Sequence, residues 1–115
     1  MTLDPTAMAR LLEITGHDVA FVDELVDTFL EDAATQLDAL RLAAETGDIA
    51  AAIRPAHSLK SNSLNVGATA LADLSRSIEA DGRSGSIPDL AERVRAIETE
   101  FAGVRDALLA ERAAR

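Results

Sequence analysis

The chain of 115 residues is predicted to be all-α: an antiparallel up-down four-helix bundle with a short additional N-terminal helix. Apolar residues recur every three to four positions in long stretches, only short connections separate these stretches, and no alternating strand pattern competes. With no Trp or Tyr and three Phe, the core must be built from Leu, Ile, Val and Ala. We expect residues 1–115 to form a single domain of this kind.

The first two helices are delimited by aspartates and glycines. In the first, Asp4 is the expected N-cap, Pro5 takes the first helical position and Gly16 ends the helix. The second runs from 18 to 45, with Asp18 as its cap, and is roughly 40 Å long. Its apolar stripe comprises Val22, Leu25, Val26, Phe29, Ala33, Leu37, Leu40 and Ala44.

The third and fourth helices meet at a glycine. The third runs from about residue 48 to 66 and stops at Gly67. The fourth begins near Thr69, a reasonable cap, and ends at Gly82. Its inner face carries Leu71, Leu74 and Ile78.

The last helix follows a loop at residues 82–85. Ser86 and Asp89 resemble a capping box, with Pro88 tolerated in the first turn. The apolar stripe that follows predicts a helix roughly 40 Å long. It comprises Leu90, Val94, Ile97, Phe101, Val104 and Leu108.

A proline lies inside the third predicted helix. Pro55 has no N–H to donate, and its ring clashes with the carbonyl four residues back, at Ala51. We therefore expect a kink one turn before His57, or a fresh helix start there.

The net charge of −9 is unevenly distributed. Residues 1–53 hold eleven acidic and two basic residues, for −9; residues 54–83 sum to +1 and residues 84–115 to −1. An acidic surface argues against nucleic acid as a partner, because phosphate backbones repel it. The lack of cysteine excludes disulfides and thiolate sites, and no apolar stretch is long enough for a membrane span. We expect a cytoplasmic chain that binds neither membrane nor nucleic acid.

The stretch AHSLKSNSLNVGA, residues 56–68, places the chain's only lysine three positions after a histidine. On a helical wheel, His57 points away from the small inner face formed by Ala52, Leu59, Ser63 and Val66. A metal site buried in the bundle is not expected, because His57 points away from the core and the chain has no Glu-x-x-His pair. We predict no metal and no cofactor.

An exposed histidine in this setting can act as a nucleophile, because neutral imidazole is abundant at cellular pH. Lys60 and Ser61 bend back toward the ring of His57, where an ammonium neutralises a phosphoryl group and a small residue leaves space. From spacing alone, however, a solvated histidine without a role is the commoner interpretation.

The pattern from His57 through Lys60 and Ser61 to Gly67 strongly resembles that of histidine-containing phosphotransfer (HPt) domains of two-component phosphorelays. LEITGHDVAFVDELVDTFLED and ADLSRSIEADGRSG also look like segments of that family, so the resemblance covers nearly the whole chain. It implies an antiparallel four-helix bundle with an extra N-terminal helix. It also implies that His57 accepts a phosphoryl group from a receiver-domain aspartate and passes it to another receiver.

The resemblance assigns further roles residue by residue. His57 is the phosphoacceptor, Lys60 its electrostatic partner, Ser61 the small residue beside the imidazole and Gly67 the turn out of the helix. Glu79 lies twenty-two residues after the histidine, where some members have a Gln that orients the ring, and we expect it to contact His57. Around the site, an apolar collar with one arginine is the expected partner-docking surface: Ala50, Ile53, Arg54 and Leu64.

Three other functional classes are a self-sufficient kinase, the dimerisation helices of a histidine kinase and an adaptor. A self-sufficient kinase is excluded, because the chain has no glycine-rich phosphate loop and is too short for an ATP-binding domain. A histidine-kinase dimerisation helix pair fits poorly, since Ser58 and Asn62 stand where that motif has an acidic residue and a proline. A non-transferring adaptor of the same fold remains the alternative. The expected partners are receiver domains of response regulators and of a hybrid histidine kinase, with the chain acting as a monomer.

Overall fold

The computed structural model describes residues 3–114, which form five α-helices and contain no strand. The helices are α1 (Pro5–Ile14), α2 (Val19–Thr46), α3 (Ile49–Asn65), α4 (Thr69–Arg83) and α5 (Leu90–Ala113). This confirms the predicted all-α class and the number of helices.

The last four helices form a closed ring of neighbours. α3 packs against α2 and α4, α5 packs against the same two helices, and α1 lies against α2. Short connections make successive helices antiparallel, which is the up-down order expected for a four-helix bundle. The body measures 44 × 22 × 20 Å, so the bundle is about as long as α2.

The core is apolar and uses small side chains where helices approach closely. Ala33, Ala52 and Ala56 are fully buried, which lets α2 and α3 pack tightly. The largest fully buried side chains complete the centre of the bundle: Leu40, Leu59, Leu71, Ile78, Ile97 and Leu108. The inner face predicted for α3 is confirmed, because Leu59, Ser63 and Val66 are all buried.

Helix starts at aspartate are confirmed. The side chains of Asp4 and Asp18 accept hydrogen bonds from the backbone N–H groups of Thr6 (2.9 Å) and Phe21 (3.0 Å). Asp48 accepts one from Ala51 at 3.1 Å and so starts α3. These side chains satisfy N–H groups that have no partner inside their own helices.

α4 begins at Thr69 as predicted, but Thr69 is not its cap. Ala68, not Thr69, is the N-cap, and no side chain caps the helix. Ala68 is fully buried and donates its N–H to the Ser63 carbonyl at 2.9 Å, so its small size serves packing rather than capping.

The capping box predicted before α5 does not form. Asp89 is the N-cap in a left-handed conformation (φ 56°) without a side-chain hydrogen bond, and Pro88 precedes the helix. The chain turns here so that Ile87 is buried beside Gly82. Burial of an isoleucine therefore outweighs the local preference of Ser86 to start a helix.

Pro55 lies inside a continuous α3, so the fresh helix start considered at this position is wrong. Pro55 is buried on the inner face, where its ring packs in the bundle. Because it has no N–H, the Ala51 carbonyl lacks the usual partner four residues ahead. The kink one turn before His57 stays a prediction.

Among the described residues, no helix combines the length and the apolar character that crossing a membrane would require.

Candidate functional site

His57 stands on the outer face of α3 in the middle of the helix. Its side chain is 52% exposed, whereas Ala56 before it and Leu59 after it are fully buried. This placement follows from the helical period, which turns residue 57 outward when 52, 56, 59 and 63 point inward. The predicted outward orientation of the histidine is confirmed.

Glu79 of α4 reaches across to the histidine. Its Oε2 lies 2.7 Å from His57 Nδ1, and its Oε1 accepts a hydrogen bond of 2.7 Å from Lys60 Nζ. The Glu79 side chain is only 8% exposed, so one nearly buried carboxylate joins the two side chains of the α3 motif. The expected contact between Glu79 and His57 is present, and the ammonium of Lys60 binds that carboxylate.

Arg83 is a member of the site that the sequence analysis did not single out. Its guanidinium donates two hydrogen bonds, of 2.8 and 3.3 Å, to Glu79 Oε2. The signal was available, because Arg83 follows Glu79 by four residues, the spacing that brings side chains together on a helix. The Arg83 side chain is 62% exposed, so it remains accessible from solvent.

These cations keep Glu79 ionised. Hydrogen bonds from Lys60, then Arg83, with a smaller contribution from His57, lower the pKa of the Glu79 carboxyl from 4.5 to about 2, against the opposing effect of burial. A carboxylate only accepts hydrogen bonds, so the contact with His57 assigns the proton to Nδ1. In the neutral ring, Nε2 then carries the free lone pair.

The close approach of α3 and α4 depends on Gly82. A Cβ at that position would lie 2.7 Å from Cγ1 of Ile53, closer than two carbon atoms can pack. Gly82 is one turn beyond Glu79 on α4, so the same approach brings Glu79 within reach of His57.

The remaining predicted site residues are dispersed around the histidine. Ser61 is half-buried one turn after His57. Leu64 is 48% exposed, and Ala50 and Arg54 are also exposed. Ile53 is half-buried and lies against Gly82, and its part in the docking surface stays a prediction.

Gly67 makes the turn out of α3 with φ 77°. Its carbonyl accepts a hydrogen bond of 2.7 Å from the N–H of Asp4, which ties the start of α1 to this turn. A Cβ on Gly67 would collide with Cβ of Ala7, so glycine is needed here for space as well as for conformation.

Within residues 3–114, no group of three or more His, Cys, Asp or Glu side chains has an arrangement that could hold a metal ion.

Comparison with known proteins identifies the family. The family model of the Hpt domain matches residues 24–107, which include the whole His57, Lys60 and Glu79 cluster. The chain belongs to the Hpt domain family. Hpt domains are phosphotransfer carriers of phosphorelays rather than kinases, and they interact with receiver domains.

A solved structure supports the assignment of this Hpt domain. The chain in the crystal structure of histidine-containing phosphotransfer protein B (HptB) from Pseudomonas aeruginosa PAO1 shares 32% sequence identity with this chain. The alignment covers 99% of this chain and 96% of that chain, with a TM-score of 0.89. A search of curated proteins found no match.

Proposed function

We propose that this chain accepts a phosphoryl group on Nε2 of His57 from a receiver-domain aspartate and relays it to a second receiver domain. The contact between His57 Nδ1 and Glu79 carries the proposal, because it leaves Nε2 as the unprotonated nitrogen of a half-exposed ring. In this proposal the two receiver domains belong to a hybrid histidine kinase and to a response regulator, and the chain acts as a monomer in the cytoplasm.

The transfer step balances without any cofactor on this chain. The Nε2 lone pair attacks phosphorus, the new N–P bond forms, and the P–O bond to the aspartate breaks with its electrons returning to that carboxylate. The ring keeps its proton on Nδ1 and becomes cationic, and Glu79 at 2.7 Å stabilises this charge. The reverse sequence passes the group to the next aspartate.

Two cations beside the ring favour an anionic phosphoryl group. Lys60 and Arg83 contribute two positive charges and Glu79 one negative charge, so the side chains around His57 carry a net charge of +1 before the ring is counted. A phosphoryl group brings between one and two negative charges. Lys60 is the nearer candidate in sequence, and Ser61 is small enough to leave space beside the ring.

The surface around His57 would dock the receiver. Ala50, Arg54 and Leu64 are exposed on α3 on either side of the histidine, while Ile53 supports them from its position against Gly82. An apolar patch with a polar rim is typical of a protein-binding surface, and in this proposal Leu64 is the exposed apolar member of that patch.

The test is label transfer from receiver domains phosphorylated with radioactive phosphate. We expect the parent chain to become labelled with an acid-labile, alkali-stable phosphate, and His57→Gln to remain unlabelled. His17→Gln is the matched control, because it makes the same change at an exposed histidine in the turn between α1 and α2 and should be labelled like the parent. Labelling of His57→Gln as strong as that of the parent would refute the proposal. A parent chain that binds a receiver and takes no label would identify an adaptor.

A further inference from the structure

A cavity of about 220 Å³ lies between α1, α2 and the C-terminal end of α3. Leu11, Leu25, Phe29 and Val66 supply its apolar walls. The volume is below the roughly 300 to 1000 Å³ of pockets for drug-sized ligands. It is therefore suited to one side chain of a partner rather than to a cofactor.

One wall of the cavity carries a carboxylate in an unusual setting. Asp32 of α2 accepts a hydrogen bond of 2.6 Å from Asn62 Nδ2 on α3 and one of 3.1 Å from Gln36 Nε2. Both donors are neutral amides, and no Lys, Arg or His within residues 3–114 forms an ion pair with Asp32. The two amides hold the carboxylate in place without neutralising its charge.

The carboxylate has capacity for a further partner. Two carboxylate oxygens offer about four acceptor positions, and the two amides occupy two of them. A half-buried negative charge beside apolar walls favours a cation whose stem is apolar, which describes lysine and arginine side chains. The charge around the cavity also favours a basic partner, since residues 1–53 carry a net charge of −9 and would attract a basic surface.

The cavity is close enough to His57 to lie under the same partner. Asn65 in its lining follows His57 by eight residues on α3, roughly 12 Å along the helix axis and about 80° around it, and Asn65 is exposed. A standard protein interface covers about 800 Å² on each partner, which spans more than this separation. A receiver domain that covers His57 and extends toward α2 therefore reaches the exposed edge of the cavity at Asn65.

We propose that this cavity, with Asp32 at its wall, receives a lysine or arginine side chain of the receiver domain and so selects among receiver partners. The inference rests on the proposed function, because it takes a receiver domain as the occupant. Asp32 acts here in binding and has no part in the transfer of the phosphoryl group.

The test uses the receiver domain that labels the chain most strongly in the transfer experiment, in unphosphorylated form for binding and phosphorylated for kinetics. We expect Asp32→Asn to raise the Kd by about tenfold, less than for a fully desolvated charge pair because Asp32 is half-buried, and to flatten the dependence of the Kd on salt. The single-turnover transfer rate at saturating receiver should match the parent, because the His57 site is intact.

Glu31→Gln is the matched control, since it removes one negative charge from the neighbouring exposed position of α2 outside the cavity. It should change the Kd less than twofold. A second variant, Thr28→Lys, leaves Asp32 in place and sets an ammonium one turn away on the cavity wall, where it should weaken receiver binding by neutralising the carboxylate and filling the space.

Unchanged binding by Asp32→Asn, or equal weakening by Asp32→Asn and Glu31→Gln, would overturn the inference while label transfer to the parent left the proposed function standing. If Asp32→Asn fails to fold, as judged by circular dichroism, Thr28→Lys decides: binding like that of the parent overturns the inference. If Asp32→Asn binds the receiver like the parent and Leu25→Ala binds it more weakly, the inference is overturned and the occupant of the cavity is an apolar side chain. If no receiver domain transfers labelled phosphate to the parent chain, the proposed function itself is refuted.

Discussion

Glu79 is the residue on which the chemistry of the site depends. It is nearly buried, and its two oxygens bind Lys60, Arg83 and His57 at once. Replacing Glu79 should remove the hydrogen bond that holds the His57 ring and should lower the free energy of unfolding. Its cationic partners would keep their charge with no carboxylate between them.

The first residue-scale prediction concerns acid stability. The pKa of Glu79 lies near 2 in the folded state and near 4.5 in its ordinary range, so its ion pairs stabilise the fold above about pH 4.5. That stability is lost as the pH falls from about 4.5 toward 2. Because Arg83 and His57 are more than half exposed, water weakens their interaction with Glu79. We therefore expect the ion pairs of Glu79 to contribute about 1 to 2 kcal/mol to the free energy of unfolding.

Glu79→Gln should therefore be less stable than the parent at pH 7 and should lose less stability between pH 5 and 2. Urea unfolding at a series of pH values measures both. Asp73→Asn is the control, because its ion pair with Arg76 is exposed on both sides and should contribute less than about 0.5 kcal/mol. Parallel pH profiles for the parent and Glu79→Gln would contradict this role.

The second prediction at this scale concerns Lys60. Lys60→Ala should slow phosphoryl transfer about tenfold, because the phosphoryl group loses one of the two cations that bind Glu79 beside the ring. It should also cost about 1 kcal/mol of stability, since the Lys60 side chain is only 22% exposed and pairs with a nearly buried carboxylate. Single-turnover transfer and urea unfolding test the two effects separately, and a transfer rate equal to that of the parent would refute the electrostatic role.

At the scale of elements, periodicity and caps made most of the fold predictable. Asp4, Asp18 and Asp48 start their helices as their residue type predicts, since capping is a local interaction. The start of α5 was not predictable in this way. Ile87 is drawn into the core against Gly82, and burial of this side chain overrides the local signal of Ser86.

The turn after α3 supplies the prediction at this scale. Gly67→Ala should destabilise the fold by about 2 to 5 kcal/mol, because φ 77° is strained for alanine and the new Cβ meets Ala7 and Asp4. Gly47→Ala isolates the conformational part, since Gly47 has φ 68° and nothing within 4 Å of a Cβ. It should cost about 1 to 2 kcal/mol. Equal costs, measured by thermal unfolding, would show that the contact with α1 contributes nothing.

At the scale of the whole molecule, the bundle holds the site between two neighbouring helices. The position of His57 and its outward orientation could be predicted from the motif and the helical period. The contact with Glu79 was expected only from the family resemblance, because it joins residues twenty-two apart through the packing of α3 on α4. Arg83 could be predicted from its spacing of four residues after Glu79, whereas the cavity at Asp32 appears only when the packed helices are seen together.

The most direct test locates the phosphorus atom on the ring. The chain is labelled with ¹⁵N at histidine and phosphorylated by a receiver domain, and coupling between phosphorus and each ring nitrogen is read by NMR. We expect phosphorus on Nε2 of His57, with the proton retained on Nδ1 beside Glu79. Phosphorus on Nδ1, or on any residue other than His57, would contradict the central claim.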